Sequence, residues 1–191
     1  MKFDNLKCGI TGHTGILGRE LLKIKNNIKF IKFKGDITKK KDIKKWLKKN
    51  PIDIIIHLAA IVPTNVVKKK IYYANKVNYT GTKLLVDEII QYKKIKWLFY
   101  SSTSHVYKFS KKKISENSIV KPTSKYGLTK LKGENYIKKK LKKKIPFCIG
   151  RIFSFTSINQ KKDYVIPGII NKAKSKKKEI FFNNTNHLRD F

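Results

Sequence analysis

The sequence predicts an α/β fold, a doubly wound parallel sheet with helices on both faces. Three observations predict it. Apolar strand-like runs alternate with helix-period segments along most of the 191 residues. The first strand runs into a glycine-rich turn that opens a helix, Thr11-Gly12-His13-Thr14-Gly15-Ile16-Leu17-Gly18. The third run, residues 53–60, is apolar almost throughout, as a parallel strand covered on both faces requires.

The elements follow in order. Residues 6–11 form a short buried strand, and residues 16–24 a helix carrying Ile16, Leu17, Leu21 and Leu22. Residues 28–33 are a second strand, ended by Gly35-Asp36. Residues 39–49 are a basic helix with Ile43, Trp46 and Leu47 inward, stopped by Asn50-Pro51. The third strand is 53–60. A loop around Pro63 leads to a long helix over 74–92. Residues 97–101 are a fourth strand, followed by a long polar loop. Residues 124–143 are a helix and 146–152 a fifth strand. Such alternation implies right-handed crossovers. There is no internal repeat and no linker. The lysine runs at 138–144 and 176–178 read as helix surfaces.

Composition bounds the function. With 40% apolar residues the chain can bury one domain core. No apolar stretch is long enough for a membrane span, and the first strand begins where a signal segment would lie. Cys8 and Cys148 both sit in strand-like runs, which suits a reduced, cytoplasmic protein rather than a disulfide framework. No metal centre is predicted. The net charge of +34 invites a nucleic-acid partner. Arginine, the residue suited to bidentate phosphate and base recognition, is confined to Arg19, Arg151 and Arg189. The charge is lysine spread over every predicted helix, among many Ile and Asn residues, as an AT-rich coding sequence would produce. No specific nucleic-acid site is expected, only salt-sensitive polyanion attraction.

The motifs carry chemistry. Gly12 permits the tight turn, Gly15 lets a pyrophosphate approach the backbone, and Gly18 lets the helix pack on the sheet. The N–H groups opening that helix, at Ile16 and Leu17, face the phosphates. Asp36 and Ile37 lie beside the adenosine half, where Asp36 either accepts from the cofactor or caps the next helix. Lys32 and Lys34 on the same edge lean towards a 2′-phosphate. Tyr126 and Lys130 are four residues apart and share a helix face. A nearby ammonium and a positive nicotinamide are expected to draw the phenol down towards neutrality, so that it exchanges a proton with a sugar alcohol. Thr103 sits at the end of the fourth strand, in the ligand crevice. A protein that merely binds a dinucleotide, as a sensor or scaffold, needs none of these three.

The chain resembles the extended short-chain dehydrogenases/reductases, the NAD(P)-dependent epimerases, dehydratases and reductases of nucleotide sugars. The resemblance rests on Thr11–Gly18, His57-Leu58-Ala59-Ala60, Asn78-Tyr79-Thr80-Gly81-Thr82, Ser101–Tyr107, Tyr126–Lys130 and Arg189-Asp190-Phe191, in family order. It implies a Rossmann-type domain with NAD or NADP. Thr103 orients the substrate, Tyr126 is the acid/base and Lys130 its partner. The cofactor lies along Gly12, His13, Thr14, Gly15, Ile16, Leu17 and Gly18, and along Leu58, Ala59 and Ala60. Asn78 either supports the site or simply packs the helix.

Ser104 and His105 stand where the dehydratase branch has an Asp-Glu pair, which argues against dehydration. Gly9–Gly15 is similar to the epimerase-reductase branch. There His105 falls at a proton-shuttling position, or else is a loop histidine in water. The resemblance also implies a homodimer through helices 74–92 and 124–143, and a substrate lobe of which residues 153–191 are the beginning. The chain ends within the Arg-Asp-Phe motif, so the lobe is expected to be incomplete, by truncation or by loss.

Overall fold

The computed structural model describes residues 6–24, 28–62, 67, 69–174 and 179–181. Pro63, the lysine run 176–178 and Arg189-Asp190-Phe191 lie outside the described residues. Two compact units divide the chain, Met1–Arg151 and Ile152–Phe191.

The first unit is built on a five-stranded parallel sheet in the order β2-β1-β3-β4-β5. Its strands are β1 (Lys7–Thr11), β2 (Lys29–Lys32), β3 (Ile54–His57), β4 (Trp97–Thr103) and β5 (Phe147–Ile152). β1 pairs with β2 on one side and β3 on the other, with Ile10 opposite Lys32 and Ile56. The strand order reverses at β1, so the crevice beyond the carboxyl ends of β1 and β3 is the place for a ligand. The helices are α1 (Ile16–Lys23), α2 (Lys40–Lys49), α3 (Ile71–Asn75), α4 (Thr82–Tyr92) and α5 (Lys125–Leu141).

The core follows from the apolar periodicity. Ile10, Ile55, Leu98 and Tyr100 lie under the sheet at zero exposure. α2 seals one edge with Ile43, Trp46 and Leu47, and Trp46 stacks edge-on against Phe33 at 5.2 Å. Gly9 is required there, because a β-carbon would lie 2.7 Å from the Trp46 ring. α4 contributes Leu85, Val86 and Ile89, and α5 contributes Ile137 and Leu141. Burial pushes the Cys8 thiol up to about 12. Among the described residues no helix is long and apolar enough to cross a membrane.

Two elements differ from the sequence reading by more than two residues at an end. The third strand ends at His57 rather than residue 60: Leu58 N–H makes the last bond to β1, at Thr11 O, and Ala59 N–H turns to the Thr11 side chain. The long helix begins at Ile71, and between α3 and α4 it widens into a π-helical segment, Lys76–Gly81. Such segments mark places where side-chain bonds compete with the regular ladder.

The second unit contains α6 (Val165–Ala173). Phe153, Phe155, Tyr164 and Val165 surround a cavity of about 180 Å³ in it.

Candidate functional site

The glycine turn sits where β1 leaves the sheet. Gly12 has φ +71°, and a β-carbon on it would lie 2.5 Å from Ala59 N. Gly18 is equally constrained, since its β-carbon would lie 2.5 Å from Gly12 O. The fold itself therefore demands these two glycines. Gly15 differs: it is exposed, and a β-carbon there would touch only Gly12 O, at 3.3 Å. It is also the N-cap of α1, with no side-chain cap and no acid in the first turn. His13 Nδ1 is buried in the turn without a hydrogen-bond partner. Thr14 is exposed, and Ile16 and Leu17 are half-buried at the helix start. A cradle left open on its outer side, with bare helix N–H groups behind it, fits an incoming diphosphate.

A hydrogen-bond relay ties this turn to the long helix. Ala59 N–H donates to Thr11 Oγ1 at 3.2 Å, and Thr11 Oγ1 lies 2.6 Å from His57 Nδ1. His57 Nε2 lies 2.9 Å from Thr82 Oγ1, which donates to Asn78 O at 2.8 Å. The direction of the last bond fixes the others: Nε2 carries the imidazole proton and Nδ1 accepts from Thr11. Burial holds His57 neutral, down to about 3, with the Lys130 charge adding to the effect.

Asn78 lies in the π segment. Its Oδ1 accepts from Ile61 N–H at 2.7 Å, and its Nδ2 donates to Ile61 O and to Thr129 Oγ1, each at 3.1 Å. Gly81 lets Ile37 approach, as a β-carbon there would be 3.0 Å from Ile37 Cγ2. The Asn-x-x-Gly-Thr spacing thus places one supporting side chain, one close approach and one relay hydroxyl within about one turn. Leu58, Ala59 and Ala60 are half-buried beside the glycine turn.

Asp36 is engaged locally. Its Oδ1 accepts from Thr38 N–H at 2.9 Å and from the Thr38 hydroxyl at 2.8 Å, and the N–H bond is the main reason its carboxyl lies below the usual range. Ile37 is buried in the core. Lys32 and Lys34 are exposed at the end of β2.

Thr103 ends β4 and Tyr126 opens α5, and the Thr103 side chain acts on the Tyr126 phenol. Ser124 caps α5 by accepting from Gly127 N–H at 3.0 Å. Gly127 itself packs against His105 O so closely that any β-carbon would clash. This presses the start of α5 onto the single 3₁₀ turn Ser104–Val106. His105 is exposed, yet its ring stands edge-on to Tyr126 at 5.9 Å and its Nδ1 lies 3.2 Å from Ser124 Oγ. Ser104 is half-buried beside it.

Lys130, one turn beyond Tyr126, is 1% exposed, with its Nζ 4.0 Å from the centre of the Tyr100 ring. Burial lowers it to about 7, opposed by the Glu134 carboxylate. Tyr126 departs from the sequence expectation: burial pushes its phenol up to about 12, with the Thr103 hydrogen bond pulling the other way. The chain's own groups keep the proton on the phenol.

The sequence reading took Thr103, Tyr126 and Lys130 as one site; the structure puts Thr103 at the end of β4, Tyr126 at the start of α5, and Lys130 one turn further along it, over the Tyr100 ring. It passed over the His57 relay and the buried Glu134–Arg151 ion pair, in which Arg151 Nη2 lies 2.8 Å from Glu134 Oε2. The available signal for the latter was an acid one turn after Lys130 in an otherwise basic helix.

Comparison with known proteins places this geometry. The family described as "NAD dependent epimerase/dehydratase family" matches residues 8–191. A dTDP-D-glucose 4,6-dehydratase of Dictyostelium discoideum is 29% identical over 185 residues, 90% of this chain and 41% of that protein. The crystal structure of a dTDP-4-dehydrorhamnose reductase from Clostridium acetobutylicum superposes with a TM-score of 0.73 at 29% identity, covering 87% of this chain and 59% of that one. The same-named reductase from Bacillus anthracis, in complex with NADP, gives a TM-score of 0.69 at 26% identity, covering 76% and 52%. The chain spans about half the length of these relatives.

Proposed function

The chain belongs to the NAD-dependent epimerase/dehydratase family, and on that premise we propose that it binds NAD or NADP and serves hydride chemistry on a nucleotide sugar. The observation that carries this reading is Gly15, a glycine the protein's own packing does not require, at the one place where a diphosphate must meet the backbone. The relatives' names supply the substrate class.

The bound nicotinamide would supply the hydride acceptor or donor. The chain's residues do the rest. Gly12 to Gly18 hold the diphosphate, with His13 and Thr14 on the turn and Ile16 and Leu17 at the helix start. Asp36 and Ile37 flank the adenosine, and Leu58 to Ala60 line the path between. Thr103 fixes the sugar hydroxyl and the Tyr126 phenol, Tyr126 exchanges the proton, and Lys130 provides positive charge beside it. Asn78 holds Ile61 in place. Ser104 and His105 border the sugar. They offer no carboxylate for an elimination, so the reading is oxidoreductase or epimerase rather than dehydratase, in the cytoplasm.

The test is direct titration of NAD and NADP into the purified chain, followed by quenching of Trp and Tyr fluorescence. Saturable binding is expected. NADP should bind at least as tightly as NAD, because Lys32 and Lys34 are free of the Asp36 turn while Asp36 is tied to Thr38. Failure of both to bind at millimolar concentration would overturn the reading.

We also propose a homodimer through the long helix and α5. Leu128 is 47% exposed there, and Leu84 and Leu131 are half-buried. Val77, Leu85 and Ile89, by contrast, serve the core. Lys83 and Lys140 lie over the Tyr136 ring at 5.9 and 5.7 Å, so this face is both aromatic and cationic. Sedimentation should show a dimer that strengthens from low to moderate salt, as like charges are screened. A monomer at high concentration in moderate salt would exclude it.

A further inference from the structure

Glu134 lies one turn beyond Lys130 on α5, and the two residues are 0% and 1% exposed. A buried acid is unusual in a chain with 12 acidic against 46 basic residues. Three elements converge on it. Arg151 of β5 donates from Nε to Oε1 at 3.1 Å and from Nη2 to Oε2 at 2.8 Å. Ser102 of β4 donates to Oε1 at 2.5 Å. Lys138 Nζ, on its own helix, stands 3.8 Å from Oε2. The Arg151 guanidinium also lies 4.7 Å from the centre of the Tyr107 ring. Lys130 in turn faces the Tyr100 ring from β4, and its charge acts on His57 of β3. The Tyr100 hydroxyl donates to Lys130 O at 3.3 Å. A buried ammonium without a counter-charge is costly.

We propose that Glu134 is a positioning residue of the Tyr126–Lys130 pair: its carboxylate acts on the buried Lys130 ammonium across one helical turn, without a direct ion pair, and Arg151 and Ser102 hold that carboxylate against β4 and β5. The importance of the pair rests on the proposed function; the coupling between Glu134 and Lys130 can be measured without any ligand.

An unfolded lysine titrates near 10.5, whereas folded Lys130 releases its proton at about 7. Between those values the unfolded chain holds a proton that the folded chain has lost, so stability rises with pH across the window. Removing the Glu134 charge moves the start of this rise to lower pH, by about one to three units, the usual effect of one adjacent opposite charge. Removing the Arg151 charge moves it to higher pH, because Glu134 then acts on Lys130 with less compensation.

The experiment is thermal unfolding from about pH 5 to about pH 10, the span that brackets this window. The purified chain is compared with its Lys130→Met, Glu134→Gln, Glu134→Asp and Arg151→Met variants. Lys130→Met should abolish the rise and so identify it. Glu134→Gln should start it at lower pH, Glu134→Asp should return it towards the parent, and Arg151→Met should start it at higher pH. A rise unmoved by Glu134→Gln, or moved to lower pH by Arg151→Met, overturns the proposal. If Glu134→Gln does not fold, the double variant Glu134→Gln/Arg151→Met, which removes both charges of the pair, is compared with Arg151→Met, and a start of the rise no lower than in Arg151→Met overturns the proposal. NADPH titration of the parent is read separately: absent binding with the opposite pH shifts intact sinks the cofactor reading and leaves the Glu134–Lys130 coupling standing.

Discussion

Replacing Tyr126 by Phe is expected to lower turnover on a nucleotide sugar by roughly two to four powers of ten, the usual worth of a positioned general acid–base. The measurement is the absorbance of the reduced nicotinamide at saturating dinucleotide. Affinity for the dinucleotide should stay within about twofold, a few tenths of a kcal/mol. The reason is structural. Tyr126 is 8% exposed and packs with Val67 and Ala74, contacts that a phenylalanine ring keeps. Its edge-on meeting with His105 survives as well. Only the hydroxyl, beside the Thr103 side chain, is lost. A fully active Tyr126→Phe protein would show that the phenol does no chemistry, and the site would be one for holding a dinucleotide alone.

Gly15→Val is the second large effect: dinucleotide binding should become undetectable in a protein that still folds. A valine can adopt the extended backbone at this position, φ −69° and ψ 168°. Its β-carbon meets only Gly12 O, at 3.3 Å, on an exposed turn. The turn admits the side chain with a small adjustment at Gly12 O, whereas a diphosphate approaching the α1 N–H groups meets it directly. Thermal unfolding reports the fold and fluorescence titration reports the affinity. Retained affinity in a folded Gly15→Val chain removes the diphosphate from this turn. The same change at Gly12 is not a usable test, because φ +71° and the contact with Ala59 N make any side chain a folding defect.

The alternation of apolar runs was enough to read the sheet and most of its helices, because both faces of a parallel sheet must be buried. The glycine turn and the Tyr126–Lys130 pair were legible because their spacing is local. What escaped the sequence is set by contacts distant along the chain. The far end of β3 was read three residues too far, since nothing local says that Ala59 N–H turns to the Thr11 side chain. The π segment was invisible because apolar periodicity cannot tell one wide turn from a regular one. It depends on Asn78 reaching Ile61 and Thr129. The fall expected of the Tyr126 phenol counted a lysine and a nicotinamide together; the protein's own groups raise it, because spacing reveals the lysine but not the depth of burial. Glu134 was lost among lysines, although it is buried and, Lys130 apart, those of α5 are not.

The widened turn at Lys76–Gly81 changes the phase of the helix that contains it. Each residue of a regular helix advances the side-chain direction by about 100°. A wider turn therefore offsets the direction in which the following segment points. Before the turn, Ala74 meets Val67 and Tyr126 at the crevice. After it, Leu85, Val86 and Ile89 address the main core under the sheet. One continuous rod thus serves two interiors that a uniform stripe would not reach together. The register between them is stored in a local change of pitch, so shortening that turn by a residue would uncouple the crevice from the sheet without altering any residue that touches either.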